Sequence, residues 1–566
     1  MRLPLVWMGV LAPAGVLCPP PYWAQARSVG DLQRPGETAV WAFEQAGQRI
    51  GHCASRYQGE VDLAGLRAFR FLDEVLVAVD LPSGHLKQRF RCELWTDAQA
   101  HPLRFRLEAL VAGSYSCVEA VLSGSKAEAT IFQGGKERQL TLDVPQDGYL
   151  LANNFVSQIE LLLLFAAPAA GEKHQVTLFS ANLLQSLPYE LEHVGALAEA
   201  DGGPGMVIKD SLGETLKLDA AGRLLACEVP GQELVLRRVE EAVEPVVIER
   251  PTPRALPDLA REEVRIDYEG VSLAGTLTRP KGAEGRLPGL FFVSGSGGQD
   301  RDGLSGGIDV GTHEILDRLT LEGFEVLRVD DRGVGESSGP TECMDFDDLI
   351  EDARQCVHFL RARADVDPAR VALIGHSEGA MTVPILAVRM EGIAAIVLLA
   401  APARPLAELT REQLVAAKRL DGVQEEELEA YDARVRSFLA QVAAGSEIAS
   451  QGLPPELELL LPARAWLASH ARVDPLANIL QVRCPILLLQ GERDIQVSPE
   501  RDARPLAAAL AAAGHPDSEL VVFPGLDHLF KRTVGETSSG LDYLRERPVD
   551  PAVLDELSAW LKARLN

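Results

Sequence analysis

The segment Gly375-His376-Ser377-Glu378-Gly379 constrains this chain more than any other. It follows the apolar run 371–374 and precedes a stretch at 380–390 of helical character. A serine at the apex of so sharp a strand–turn–helix needs neighbours without side chains, because otherwise strand and helix could not approach each other. Such a turn is a nucleophile elbow. It lifts the Ser377 hydroxyl out of the sheet edge and aims the next backbone N–H, that of Glu378, at the place where an oxyanion would form. The bare Gly-x-Ser-x-Gly pattern is common in βα loops; the strand before it and the helix after it set this one apart.

The surroundings of the elbow repeat its strand–helix rhythm. An opening hairpin at 264–268 and 273–278 gives way to strand candidates at 290–294, 325–330, 371–375, 394–400, 486–490 and 519–523. Most are largely apolar, as parallel strands covered on both faces must be. Helical segments lie between them. In 348–364, Leu349, Cys356, Val357 and Leu360 share one face, while Glu351, Asp352 and Arg361 lie off it. The pattern predicts a doubly wound α/β domain over 263–566. One stretch breaks the rhythm. Residues 404–474, rich in Ala, Leu, Glu and Arg, stand between two strand candidates and read as two or three helices. At roughly 70 residues this exceeds an ordinary βα connection several-fold, so a helical lid over the catalytic edge is expected, with a surface excursion elsewhere as the plainer alternative.

The first half reads differently. Short runs at 39–43, 68–71, 75–79, 103–110, 129–132, 139–142, 175–179, 190–194, 216–218 and 233–236 are separated by Gly, Pro, Asp and Asn. They predict a mainly antiparallel β domain over 27–244, a sandwich or open barrel, with one short buried helix at 155–165. Pro245, Pro251, Pro253 and Pro257 with charges between them mark 245–262 as a linker.

At 566 residues the chain is too long for a single core. A formal charge of −27 repels phosphate backbones and anionic lipid, which argues against a nucleic-acid partner. Residues 1–26 resemble an export signal: Arg2 is followed by a largely apolar 3–17, and Ala24-Gln25-Ala26 fits a cleavage site. Pro4 and Pro13 and the shortness of the run argue against a stable membrane span, so a periplasmic or secreted location is expected. Cys18 lacks the small residue that a lipoprotein signal places before its cysteine. Eight cysteines occur without a Cys-x-x-Cys, so no metal site or redox motif is indicated, and no other motif calls for a cofactor. Export would permit a bridge or two, among Cys53, Cys92 and Cys117 of the first half or the neighbours Cys343 and Cys356 of the second, with no pairing legible from the sequence.

Serine needs a base within hydrogen-bond reach. After an elbow the acid and the histidine follow in sequence. The buried strand 486–490 runs into Gly491-Glu492-Arg493-Asp494, and the strand ending at Phe523 runs into Pro524-Gly525-Leu526-Asp527-His528. Asp494 and His528 therefore stand at the carboxyl edge of the sheet, where open α/β sheets hold their sites. His528 would take the Ser377 proton and Asp494 would orient the imidazole. Glu492 and Asp527 are competing acids, and His470 and His515 are competing bases. His376 points away from the serine on such a turn, which suits packing. The second oxyanion donor is expected in Ser294-Gly295-Ser296-Gly297-Gly298, with the N–H of Ser296 joining that of Glu378. The charges of 330–336 are expected to brace loops.

Taken together, the Ser-Gly-Ser-Gly loop with Gln-Asp-Arg-Asp, the Asp-x-Arg-Gly-x-Gly-x-Ser segment ending at Ser337, Gly-His-Ser-Glu-Gly, and Gln-Gly-Glu-Arg-Asp with a late Asp-His resemble the α/β-hydrolase superfamily. Within it they are similar to bacterial esterases of the dienelactone-hydrolase and serine-aminopeptidase-like group. The resemblance implies a metal-free serine hydrolase acting on small-molecule esters, less often on amides. Ser294-Gly295 stands where many relatives carry His-Gly. Prolyl-oligopeptidase relatives carry a propeller of about 300 residues, at roughly 40–45 per blade, and the first half is too short for one. Acyl transfer or peptide cleavage at the same triad, and a non-catalytic binding protein on a hydrolase scaffold, are the competing readings.

Overall fold

The computed structural model describes residue 29 and residues 35–566, apart from 82–83, 112–113, 134–135, 153–154, 183, 201–202, 220–221, 231–232, 250–255, 306–307, 342–343, 421–422, 450–452, 459, 534, 536–541 and 546. The expected export signal, Cys18 and Cys343 lie outside the described residues. The chain divides into an amino-terminal unit ending at Arg254 and a carboxy-terminal unit from Ala255 to Asn566.

The amino-terminal unit is built on one sheet of 15 strands. Eight of them meander outward from Thr38–Gln45 to Lys136–Asp143. The other seven run back from Tyr149–Leu151 to Leu234–Val239, which pairs antiparallel with Thr38–Gln45 and joins the two runs. Tyr149–Leu151 pairs in parallel with Lys173–Ser180, and the helix Val156–Ala166 makes the crossover that a parallel pair requires. A sandwich would need a second sheet. Here the helix supplies the second layer instead: its Leu161, Leu162 and Leu163 share a core with Trp41, Phe43, Phe105 and Phe179. The runs 68–71 and 75–79 are one strand, Leu66–Leu81. Asp73 and Glu74 interrupt its apolar pattern yet are buried, and Asp73 accepts a hydrogen bond from Ser157 of the helix.

The carboxy-terminal unit opens with an antiparallel hairpin, β1 (Leu259–Tyr268) and β2 (Val271–Pro280). β1 begins inside the stretch that reads as linker, because Leu259 to Glu262, beyond the last proline, pair residue for residue with β2. Six further strands complete this sheet: β3 (Leu287–Val293), β4 (Glu325–Val329), β5 (Val366–His376), β6 (Ala395–Leu399), β7 (Ile486–Gly491) and β8 (Ser518–Phe523). The sheet order is β1-β2-β4-β3-β5-β6-β7-β8, parallel from β4 to β8. The main helices are α1 (Thr312–Leu321), α2 (Phe346–Ala362), α3 (Gly379–Arg389), α4 (Leu406–Leu420), α5 (Glu425–Ala443), α6 (Arg464–His470), α7 (Arg504–Ala512) and α8 (Pro551–Leu565).

Neighbouring strand residues fall into different cores, as the period of two demands. Phe291, Leu373, Leu398 and Leu488 pack with α2 and α3. Phe292, Ile374, Val397 and Leu487 pack with α1 and α8. Both faces are covered, which is why the strand sequences are apolar throughout. Asp345 caps α2, accepting from the Asp348 N–H while the Asp348 carboxylate accepts from the Asp345 N–H. Within 404–474 the described residues hold four α-helices, the long α4 and α5 and the short Pro455–Glu458 and α6, rather than two or three. The short ones escape periodicity because one turn carries too little of it. None of the six described cysteines forms a disulfide, and all but Cys484 are buried. No helix among the described residues is long and apolar enough to cross a membrane.

Candidate active site

Ser377 sits at the end of β5 with φ 55°, in the left-handed region that non-glycine residues enter only under constraint. Two bonds hold it there: its N–H donates to Leu399 O at 2.8 Å, and its carbonyl accepts from Ala380 N at 3.0 Å. The flanking glycines are steric necessities. A Cβ at Gly375 would lie 2.3 Å from Gly379 O, and one at Gly379 would lie 2.2 Å from Val293 O. Ser377 is half-buried, while its neighbours from Val371 to Leu386 are buried.

His528 and Asp494 meet: Nδ1 of His528 is 2.7 Å from Oδ2 of Asp494. The carboxylate is buried and fully engaged. Its Oδ1 accepts the N–H groups of Gln496 at 2.8 Å and Val497 at 2.9 Å, and Oδ2 also accepts from Gln490 Nε2 at 2.9 Å. The competing acids serve elsewhere. Glu492 accepts from Gly525 N at 3.0 Å, and Asp527 accepts from Leu529 N, Lys531 N and Arg547. His515 lies on the turn before β8, where its Nδ1 meets the Asp517 N–H.

The elbow and the His528 loop are tied by His376. Its Nε2 donates to the carbonyl of His528 at 3.0 Å, and the two rings stand 4.7 Å apart. Burial, reinforced by His528 beside it, pushes His376 down to about 3, so it stays neutral. It packs, as its position suggests, and it also fixes the backbone of the candidate base. An unfolded His376 would titrate near 6.5. Between there and about 3 the unfolded chain holds a proton that the folded chain lacks, so this group makes stability fall as pH falls. His376→Leu is expected to remove up to about 1.4 kcal/mol per pH unit of that slope, read from urea melts at pH 4 and pH 6. It should also slow turnover roughly tenfold by freeing the His528 carbonyl.

The loop after β3 runs against the elbow: a Cβ at Gly295 would stand 3.3 Å from Ser377 Cβ and 3.1 Å from His376 Nδ1. Asp331 pins this loop, accepting from Ser294 Oγ at 2.7 Å and from Gln299 N at 2.8 Å. Burial raises the Asp331 carboxyl to about 7; those two bonds oppose the rise, and the negative charges of Glu378 and Asp330 add to it. Asp330 braces Arg301 and the Glu336 N–H. Among the described residues neither the Ser296 nor the Glu378 N–H has an acceptor. Both donors are thus free for a ligand atom.

Trp466 escaped the sequence reading, and His470, a competing base there, takes a different place. Trp466 and His470 of α6 converge on the carboxylate of Glu378. Nothing local announces this contact, since it joins positions 88 residues apart.

An eight-stranded, doubly wound sheet with a serine on a strained strand–helix turn, and a buried His–Asp pair on the loops after its last two strands, defines an α/β-hydrolase. Comparison with known proteins agrees. The model of the alpha/beta hydrolase family matches residues 290–530. Esterase EstD of Thermotoga maritima is 32% identical over 302 residues, covering 53% of this chain and 67% of that protein. The putative hydrolase YtaP of Bacillus subtilis is 29% identical, covering 21% of this chain and 46% of its own length. The solved esterase Pf2001 of Pyrococcus furiosus is 21% identical, covering 57% of this chain and 97% of its own, with a TM-score of 0.37. The chain belongs to the α/β-hydrolase family and is a hydrolytic enzyme of it.

Proposed function

We propose that this chain is a carboxylic ester hydrolase working through an acyl-enzyme, with Ser377 as nucleophile, His528 as base and acid, and Asp494 as its orienting partner. The observation that carries the reading is the buried 2.7 Å contact between His528 and Asp494, on a loop bonded to the residue before Ser377. In the proposed reaction Ser377 Oγ forms a bond to the ester carbonyl carbon as its proton passes to His528 Nε2. The oxyanion is held by the N–H groups of Ser296 and Glu378. Collapse breaks the C–O bond to the alcohol, which leaves with the His528 proton. Water then repeats the cycle, releasing the acid and free serine. Ester substrates are favoured by the relative in Thermotoga maritima, which is named an esterase. The helices between β6 and β7 act as a lid, since α6 reaches the residue after the nucleophile. We further propose export, with a mature start near Arg27, from the apolar leader and its small-residue cleavage site.

The test is a set of p-nitrophenyl esters of increasing chain length beside one peptide amide, with a fluorophosphonate probe. Labelling and ester turnover are expected, with the amide far slower. A chain that neither labels nor turns over would be a binding protein. Added alcohol should leave free acid as the main product; new ester formed at its expense would mark a transferase on the same serine.

A further inference from the structure

Glu378 is a costly residue for its place. Its carboxylate is buried, follows the nucleophile directly, and lies close enough to Asp331 to raise that group. A buried carboxylate needs partners to offset desolvation. Its partners come from the insertion. Glu378 Oε1 accepts the indole N–H of Trp466 at 2.5 Å, and His470 Nε2 lies 2.8 Å from the same oxygen, off the hydrogen-bonding direction. Trp466 and His470 are one helical turn apart on α6. His470 is fully buried, and its Nδ1 is 2.9 Å from Trp466 O, which can only accept. Nδ1 therefore carries a proton, and Nε2, turned to the carboxylate, offsets the negative charge only when it carries a proton too, in the imidazolium form of the ring. The helix is pinned on its other side too: Phe346 N donates to Ser469 Oγ at 2.8 Å, and the Phe346 and His470 rings are 4.2 Å apart.

The rest of Glu378 is equally fixed. Its carbonyl accepts from Met381 N at 2.8 Å and from Thr382 N at 3.2 Å, which leaves the N–H as its free polar group among the described residues. That N–H is one peptide away from the developing oxyanion. An unscreened carboxylate there would repel the very charge that the hole must stabilise, because a dry site strengthens electrostatic interactions of either sign.

We propose that Trp466 and His470 are positioning residues of the oxyanion hole, covering the Glu378 charge and holding its backbone donor through the side chain. The idea rests on the reading of Ser377 as nucleophile and the Glu378 N–H as donor. It makes α6 a fixed roof for the hole, seated whenever the hole is competent.

Steady-state kinetics on p-nitrophenyl acetate with thermal melts test this in the full chain. His470→Leu uncovers the charge and should lower kcat roughly 10- to 100-fold with KM within about twofold, a fraction of what losing an oxyanion donor costs. Adding Glu378→Gln removes the charge to be covered and should recover most of that loss. A packing defect would gain nothing from it. Trp466→Phe keeps the ring and deletes the N–H; with melting within a few degrees of wild type it should lower kcat about tenfold. Wild-type kcat in both His470→Leu and Trp466→Phe, or no recovery on adding Glu378→Gln, would overturn the proposal while leaving the esterase reading intact. A wild type that neither labels with fluorophosphonate nor turns over ester would overturn both.

Discussion

Ser377→Ala should lower ester turnover by roughly four to six orders of magnitude and abolish fluorophosphonate labelling, with the melting temperature within a few degrees of wild type. The size follows from the way such residues act as a unit. Without the hydroxyl, His528 has no proton to take, and the His528–Asp494 pair and the two free N–H groups are left to act on water alone. His528→Ala should fall as far, since removal of either member disables the same proton transfer. Asp494→Ala should fall somewhat less, because the imidazole keeps its chemistry and loses its orientation. The melt of Ser377→Ala should change little, since alanine keeps the Cβ and the same left-handed φ of 55° and the change removes only a half-buried hydroxyl. A tenfold loss or less in either Ser377→Ala or His528→Ala would contradict the roles assigned.

Gly379→Ala should be the most damaging single methyl in the carboxy-terminal unit. The added carbon would meet Val293 O at 2.2 Å and Ser294 O at 2.6 Å, both backbone atoms of β3 and its loop. No side chain can swing aside. Either α3 tilts off the elbow or the oxyanion loop retreats, and both are held by short bonds. Overpacking against adaptable side chains costs about 1–3 kcal/mol, and a clash with backbone should reach the top of that range or pass it. The expected result is a melting temperature lower by roughly 5 °C or more, or insoluble protein, with activity lost together with the hole. Gly195→Ala is the control, since its Cβ would meet nothing within 4 Å. Equal melts for Gly379→Ala and Gly195→Ala would show that the elbow shifts freely enough to admit the methyl.

Much of the carboxy-terminal unit was legible because its signals are local. Apolar runs of five to seven residues become strands only if both faces are covered, and the helices between them supply the cover. The amino-terminal unit was half legible. Nine of its 15 strands announced themselves as short apolar runs, while six, Gln48–Leu63, Gly84–Thr96 and Ser114–Ser123 among them, did not; and a sheet of 15 strands packed on one helix is a matter of how faces are covered, on which alternation is silent. Asp73 shows the difficulty: a buried carboxylate mid-strand reads as a break until Ser157 is seen beside it.

The chain's own order of residues determined the elbow, its glycines and the succession of serine, aspartate and histidine, because each depends on backbone path within a few positions. Only the folded arrangement selected Asp494 over Glu492 and Asp527 as the carboxylate touching His528, bonded His376 to the His528 carbonyl, and brought Trp466 and His470 onto Glu378. Those contacts span loops at the ends of different strands and a helical insertion. Their distances are set by sheet register and helix seating, which no spacing along the polymer encodes.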